Sequence, residues 1–168
     1  MPMKLLISDK PICMPEGLAA LTVIDLSALT IAPCMGCFRC WIQTPGKCVI
    51  RDDAVQVYPL FAQCDSLVLI SRICYGGYDT PMKTLLERTL PIQQAFLRVV
   101  DGETHHIQRN VAPKDVLIIG YGCITESEKN VFRRLAERNA KNLNFLRHRL
   151  IFTSEENLMQ VMKNEVCL

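Results

Sequence analysis

Five short apolar runs punctuate the chain, and helical patterns fill most of the intervals between them: Lys4 to Ser8 (KLLIS), Thr22 to Leu26 (TVIDL), Ser66 to Ser71 (SLVLIS), Val116 to Gly120 (VLIIG) and Arg149 to Thr153 (RLIFT). Runs so uniformly apolar need cover on both faces, which a parallel sheet flanked by helices provides. Asp53 is placed to cap a helix over Ala54 to Cys64, and Thr80 followed by Pro81 opens another. Thr125 with Glu128 forms a capping box for a helix running to about Leu143, and Thr153 with Glu156 repeats the device for a C-terminal helix. The segment AFLRVVDGETHHIQR has strand-like stretches on either side of Asp101-Gly102, which predicts a hairpin inserted before the fourth core strand. A length of 168 residues suits one domain over residues 1–168 with a single core.

The densest chemistry lies in CMGCFRCWIQTPGKCVIRDD. Four of the nine cysteines, Cys34, Cys37, Cys40 and Cys48, are spaced C-x2-C-x2-C-x7-C there. Thiolates at two-residue intervals on a turn can converge on one inorganic centre. Three readings of these residues stand side by side: an iron–sulfur cluster, a structural zinc, or free thiols in a compact loop pinned by Trp41 and Pro45. Cys13, Cys64, Cys74, Cys123 and Cys167 lie in apolar or helix-end contexts that suit packing. Asp52 and Asp53 look like an acid pair, yet a helix start accounts for them. His105 and His106 are neighbours on a predicted strand, so they face opposite ways and cannot share one metal; a surface or interface role suits them.

Other classes find little support. A formal net charge of +2 supplies no field for nucleic acid. No apolar stretch approaches the roughly 18 residues of a membrane span, and MPMKLLISDK lacks a signal-peptide core, so a cytoplasmic protein with reduced thiols is expected. Hydrolase triads, phosphate-binding P-loops and HExxH segments are missing from the sequence.

The order of elements, the cysteine segment ending in Asp52-Asp53, and the later SRICYGGYDTPMKTLLER together resemble the flavodoxin-like NAD(P)H-dependent FMN reductases, and among them the iron–sulfur flavoproteins. The likeness covers about residues 1 to 155. It implies a doubly wound five-stranded parallel sheet of order 2-1-3-4-5, with FMN at the carboxyl ends of the strands. It further implies an oxidoreductase that takes electrons or hydride from NAD(P)H or a protein donor and passes them to a small-molecule acceptor, and a homodimer helped by the apolar arm around Ala95 to Val100. On this resemblance a 4Fe-4S cluster would be held by Cys34, Cys37, Cys40 and Cys48.

Three loops carry the implied flavin contacts. After the third strand, Arg72, Ile73, Cys74, Tyr75, Gly76, Gly77 and Tyr78 would lie along the flavin ring, with Tyr75 and Tyr78 covering a face. Glycines let the backbone approach a flat ligand, although Gly76 and Gly77 equally well make a turn into the next helix. Arg72 stands where the family has proline. After the fourth strand, Gly120, Tyr121, Gly122 and Cys123 precede a capped helix. The first loop departs most. Only 13 residues separate Ser8 from Thr22, near the floor of about a dozen for a parallel crossover. A helix from Glu16 to Leu21 would span about 9 Å. Ser8 and Lys10 are the phosphate candidates left, and Asp9 and Glu16 place negative charge where a dianion would sit. These departures favour a second reading, a non-catalytic flavodoxin-like subunit that has lost FMN.

Overall fold

The computed structural model describes residues 3–13 and 21–166. Strands β1 (Lys4–Ser8), β2 (Leu21–Asp25) and β3 (Ser66–Cys74) are followed by the short β4 (Gly77–Tyr78), then by the hairpin strands β5 (Gln93–Val100) and β6 (Glu103–Gln108), and finally by β7 (Lys114–Tyr121) and β8 (Phe145–Thr153). The helices are α1 (Arg39–Ile42), α2 (Ala54–Gln63), α3 (Thr80–Glu87), α4 (Glu126–Asn142) and α5 (Leu158–Val166). The main sheet runs β2-β1-β3-β7-β8 with every neighbour parallel, and β4 adds antiparallel to the end of β3. This is the flavodoxin-like order expected from the resemblance. The predicted helix over Glu16 to Leu21 falls on residues 14–20, outside the described residues, except for Leu21, which begins β2.

Alternation of side chains divides the core. Leu5, Ile7, Leu67, Leu69 and Ile118 point to one face, against Val57 and Phe61 of α2, Met82 and Leu85 of α3, and Phe132 and Ala136 of α4. Leu6, Val68, Ile70, Ile119 and Tyr121 point to the other, against Leu158 and Met162 of α5. Central strands buried on both sides therefore read as continuous apolar runs, as KLLIS and SLVLIS do.

Two cap expectations change. Asp53 makes no side-chain bond to α2; its carboxylate accepts instead from Thr30 N at 2.7 Å, and Asp52 accepts from Ala54 N at 3.2 Å. Helix α3 opens at Thr80 and Pro81 as predicted, with Asp79 as its cap. Thr153 is still in β8, so the turn before α5 is closed by Ser154 Oγ accepting from Asn157 N at 3.3 Å, and the helix starts at Leu158. The Thr125–Glu128 capping box forms as predicted. The predicted hairpin also forms. Asp101 and Gly102 both take positive φ, 49° and 77°, as a two-residue turn matched to strand twist requires.

The hairpin is fastened at its base. Gln93 and Gln108 donate side-chain N–H bonds to Asn142 O at the end of α4, at 2.9 and 2.6 Å, satisfying a carbonyl the helix leaves open. His105 is buried there, bonded to Asn142 Oδ1 at 2.8 Å, so it is a packing residue rather than a surface one.

Candidate functional site

The segment after β2 folds back on itself through positive φ at Gly36, Phe38 and Gly46 (63°, 55° and 83°). Its two ends meet at one buried ion pair. Arg88, at the end of α3, is 1% exposed and donates from Nη1 to Asp52 Oδ2 and to Ala32 O, both at 2.7 Å. Its Nη2 donates to Asp52 Oδ1 at 2.9 Å and to Ile50 O at 3.4 Å. Asp52 also accepts from Ala32 N at 2.8 Å. Such a two-pronged, charge-assisted pair fixes geometry as well as charge. Burial works against the ionised Asp52, but Arg88 and the amides of Ala32 and Ala54 outweigh it and hold the carboxyl below the usual range.

Trp41 forms the second anchor. Its indole N–H donates to Leu90 O at 2.9 Å, and its ring lies between Phe38 (5.4 Å) and His106 of the hairpin (4.5 Å). His106 thus presses the hairpin onto the cysteine segment. Pro45 is exposed and pins nothing.

Held this way, Cys34, Cys37, Cys40 and Cys48 surround one recess, closed by Arg88, Leu90 and neighbouring residues. Burial pushes the Cys40 thiol up, and Cys48, Cys34 and Cys37 add to the shift because thiolates repel. Cys34, Cys40 and Cys48 are partly buried, and Cys37 is exposed. Among the described residues, no three of His, Cys, Asp or Glu stand in position for a single metal ion. Elsewhere, Cys64 is fully buried with its thiol raised to about 11 by burial, as a packing cysteine should be. Cys13 and Cys123 are exposed, so they do not pack, and Cys167 lies outside the described residues.

The other candidate loops lie at the carboxyl ends of the central strands. Beyond Ser71, β3 continues to Cys74 and turns back through Tyr75 and Gly76, with φ of 53° and 74°, into β4. A cleft of about 700 Å³ opens there, lined by Cys74, Tyr75, Gly77, Asp79, Lys83 and Leu135 among others. Glu87, the last residue of α3, lines both this cleft and the cysteine recess. Tyr75 is 96% exposed and free to cover a flat ligand.

Several expected contacts are occupied by packing instead. Tyr78 and Ile73 are core residues; Tyr78 still lines the cleft, but its ring sits 4.8 Å edge-on from Phe132, and burial pushes its hydroxyl up to about 12. Gly76 is needed because a Cβ there would lie 2.8 Å from Val131 of α4. Gly120 is needed because a Cβ would meet Ile73 at 2.8 Å. The side chain of Arg72, Gly77, Gly122 and Cys123 remain at least partly open.

The first loop differs from the expectation most. Ser8 is 1% exposed, and its Oγ accepts from Lys10 N at 3.3 Å. Lys10 Nζ is paired with Glu155 at 2.6 Å and lies 5.4 Å over the Tyr121 ring. Neither side chain is presented to a phosphate. Asp9, which the sequence reading treated only as an unwelcome charge, takes the strand-end donors itself. Its Oδ2 accepts from Arg72 N at 2.6 Å and Ser71 Oγ at 3.0 Å, and its Oδ1 from the Tyr121 hydroxyl at 2.8 Å. Burial and the Asp9 carboxylate drive the Tyr121 hydroxyl well above its ordinary pKa. Trp41 anchors the cysteine loop as its place in the sequence suggests, whereas Arg88 and the bonding role of Asp9 are organising features that the sequence does not single out.

No family model matches the chain. It is 32% identical over 73 residues to an iron–sulfur flavoprotein of Methanocaldococcus jannaschii, covering 44% of this chain and 37% of that protein. It is 34% identical over 68 residues to an iron–sulfur flavoprotein of Archaeoglobus fulgidus, covering 40% of this chain and 30% of the relative. The chain thus matches about a third of the length of these curated relatives. Its fold is shared with an FMN-dependent NADH-azoreductase from Bacillus anthracis, at TM-score 0.61 and 10% identity over 99% of this chain and 96% of the other. It is shared also with an NAD(P)H:quinone oxidoreductase from Methanothermobacter marburgensis, at TM-score 0.57 and 10% identity over 99% and 100%. The chain is a flavodoxin-like α/β protein with iron–sulfur flavoprotein relatives.

Proposed function

We propose that the protein is a flavodoxin-like oxidoreductase, using FMN to move electrons or hydride from NAD(P)H or a protein donor to a small acceptor, with a 4Fe-4S cluster on Cys34, Cys37, Cys40 and Cys48. The observation that carries this reading is the four-thiol recess, organised by a buried ion pair and sharing Glu87 of α3 with the strand-end cleft. The side chain of Arg72, with Cys74, Tyr75, Gly77, Gly122 and Cys123, would hold the flavin ring. When bound, the flavin supplies two-electron acceptance and one-electron release. This chain's residues supply the rest: backbone approach at Gly77, cover by Tyr75, and thiolate ligands in the recess.

The phosphate end of FMN fits less well, because Asp9 already takes the Arg72 amide and the Ser71 and Tyr121 hydroxyls, Ser8 is buried, and Lys10 is paired. That observation favours the second reading, a non-catalytic subunit without FMN.

The partner expected is a second copy of this chain. Phe96, Leu97 and Val99 of the hairpin are 70%, 58% and 75% exposed, a strip that an isotypic contact would cover. All eight described cysteines are free thiols, which suits the cytoplasm. No described helix is long and apolar enough to cross a membrane.

Anaerobic reconstitution with iron, sulfide and FMN tests the proposal. Broad visible absorption with about four irons per chain and NAD(P)H-dependent bleaching of flavin are expected. Stoichiometric zinc, or no metal at all, refutes the cluster. A loaded cluster with no flavin bound leaves the non-catalytic subunit as the better account.

A further inference from the structure

Arg88 has a use beyond closing the loop. A guanidinium carries five N–H donors in a rigid fork. Both terminal nitrogens are engaged, Nη1 with Asp52 and Ala32 O, and Nη2 with Asp52 and Ile50 O. The Nε–H is buried and has no hydrogen-bond partner among the described residues. A buried donor left unmatched is costly, and its persistence needs a reason. The same side chain lines the recess formed by the four cysteines. Cys48 lines the same recess as Arg88, and although burial disfavours the guanidinium's charge, Asp52 and the Cys48 thiol hold Arg88 above its usual pKa.

We propose that Arg88 is a positioning residue that sets the reduction potential of the four-cysteine centre, its Nε–H donating to the Cys48 sulfur or to a sulfide of the bound cluster. The inference rests on the cluster reading given above. Asp52 balances the positive charge, so what reaches the recess is one oriented N–H dipole rather than a free cation. Reduction adds one electron, and so one negative charge, to the centre, with no bond made or broken there. A donor aimed at sulfur stabilises the reduced form more than the oxidised form and raises the potential, as hydrogen bonds to cluster sulfurs do. A clamp alone would hold the loop and leave the potential unchanged.

The test uses the full chain reconstituted anaerobically with iron and sulfide, as wild type and as Arg88→Lys, which keeps a cation but loses the rigid fork. Iron and sulfide content is measured first, then the midpoint potential by redox titration followed in the visible spectrum. With equal iron content, Arg88→Lys is expected to lower the potential, changing the oxidised-to-reduced ratio at fixed poise about tenfold, equivalent to ~59 mV for one electron. A fully loaded variant at the wild-type potential overturns the proposal. Because the variant can also fail to fold, reduced wild-type protein labelled with nitrogen-15 arginine provides a second readout. A hyperfine coupling between the cluster spin and an arginine nitrogen is expected, and its absence overturns the proposal without any substitution. A wild type that binds no iron overturns the cluster reading, and this inference with it; iron analysis distinguishes that result from a loaded cluster that Arg88 does not influence.

Discussion

The loops after the first and second strands are built on opposite plans. The loop after β2 uses a charge pair, Asp52 with Arg88, as scaffold and leaves its thiols turned to a recess. The loop after β1 uses its carboxylate, Asp9, to satisfy the donors that a ligand would want. One loop turns its thiols to a shared recess, and in the other the described residues bond among themselves at the strand ends. Each loop is stabilised by partners on different strands and helices, so a change in one need not disturb the other.

Removing a thiol should break the comparison most completely. Cys37→Ala is expected to abolish cluster loading, measured as iron per chain after anaerobic reconstitution, while retaining the far-ultraviolet dichroism of the wild type. Retention of full iron by the variant would make the recess irrelevant and leave the two loops alike.

The next largest effect concerns the scaffold. Asp52→Asn leaves a buried guanidinium uncompensated and should cost about 3–5 kcal/mol in urea unfolding. The pH dependence has a definite sign. Asp52 is held below its ordinary pKa in the fold, so its contribution is fully present above the unfolded value of about 3.9 and is lost as pH falls through the lower folded value. Wild-type stability should therefore show an acid-side loss that Asp52→Asn lacks. Equal acid sensitivity in both proteins would show that the pair is not the scaffold.

The smallest effect sharpens the first loop. With its donors taken by Asp9, FMN and riboflavin should bind within about tenfold of each other, since an intact phosphate site adds about 1.5–3 kcal/mol per charge-assisted hydrogen bond. Asp9→Asn removes the competing charge and should shift the preference toward FMN. Fluorescence titration decides it: strong rejection of riboflavin by the wild type would mean that phosphate is held by groups other than Ser8 and Lys10.

What was legible in the sequence was what local pattern controls. The five core strands, the Thr125–Glu128 box and the Asp101-Gly102 turn are set by neighbours within a few positions. The boundaries that shifted did so for tertiary reasons. β3 runs past Ser71 because Ile73 and Cys74 pair with β4, and Asp53 fails as a cap because Thr30 N, 23 positions away, takes its carboxylate. The cysteines could be read as a group from spacing. The residues that make them a recess could not, since Arg88 is 36 positions from Asp52 and 56 from Ala32. Likewise Tyr121 reaches Asp9 across 112 positions. Tyr78, which the resemblance sets along the flavin, packs its ring on Phe132 of α4, 54 positions away, a contact no local pattern foretells.

Trp41 gives the molecule an optical property. It is the sole tryptophan in the chain, and it sits inside the cysteine loop with His106 of the hairpin against its ring. Emission excited at the red edge of protein absorption therefore originates from a single known place, next to the thiols. A chromophore bound there that absorbs in the near ultraviolet and violet would drain that emission by energy transfer, and release of the hairpin would move the indole into water and shift its colour. Occupancy of the recess and docking of the hairpin can thus be followed in unlabelled protein, by the intensity and wavelength of one fluorophore.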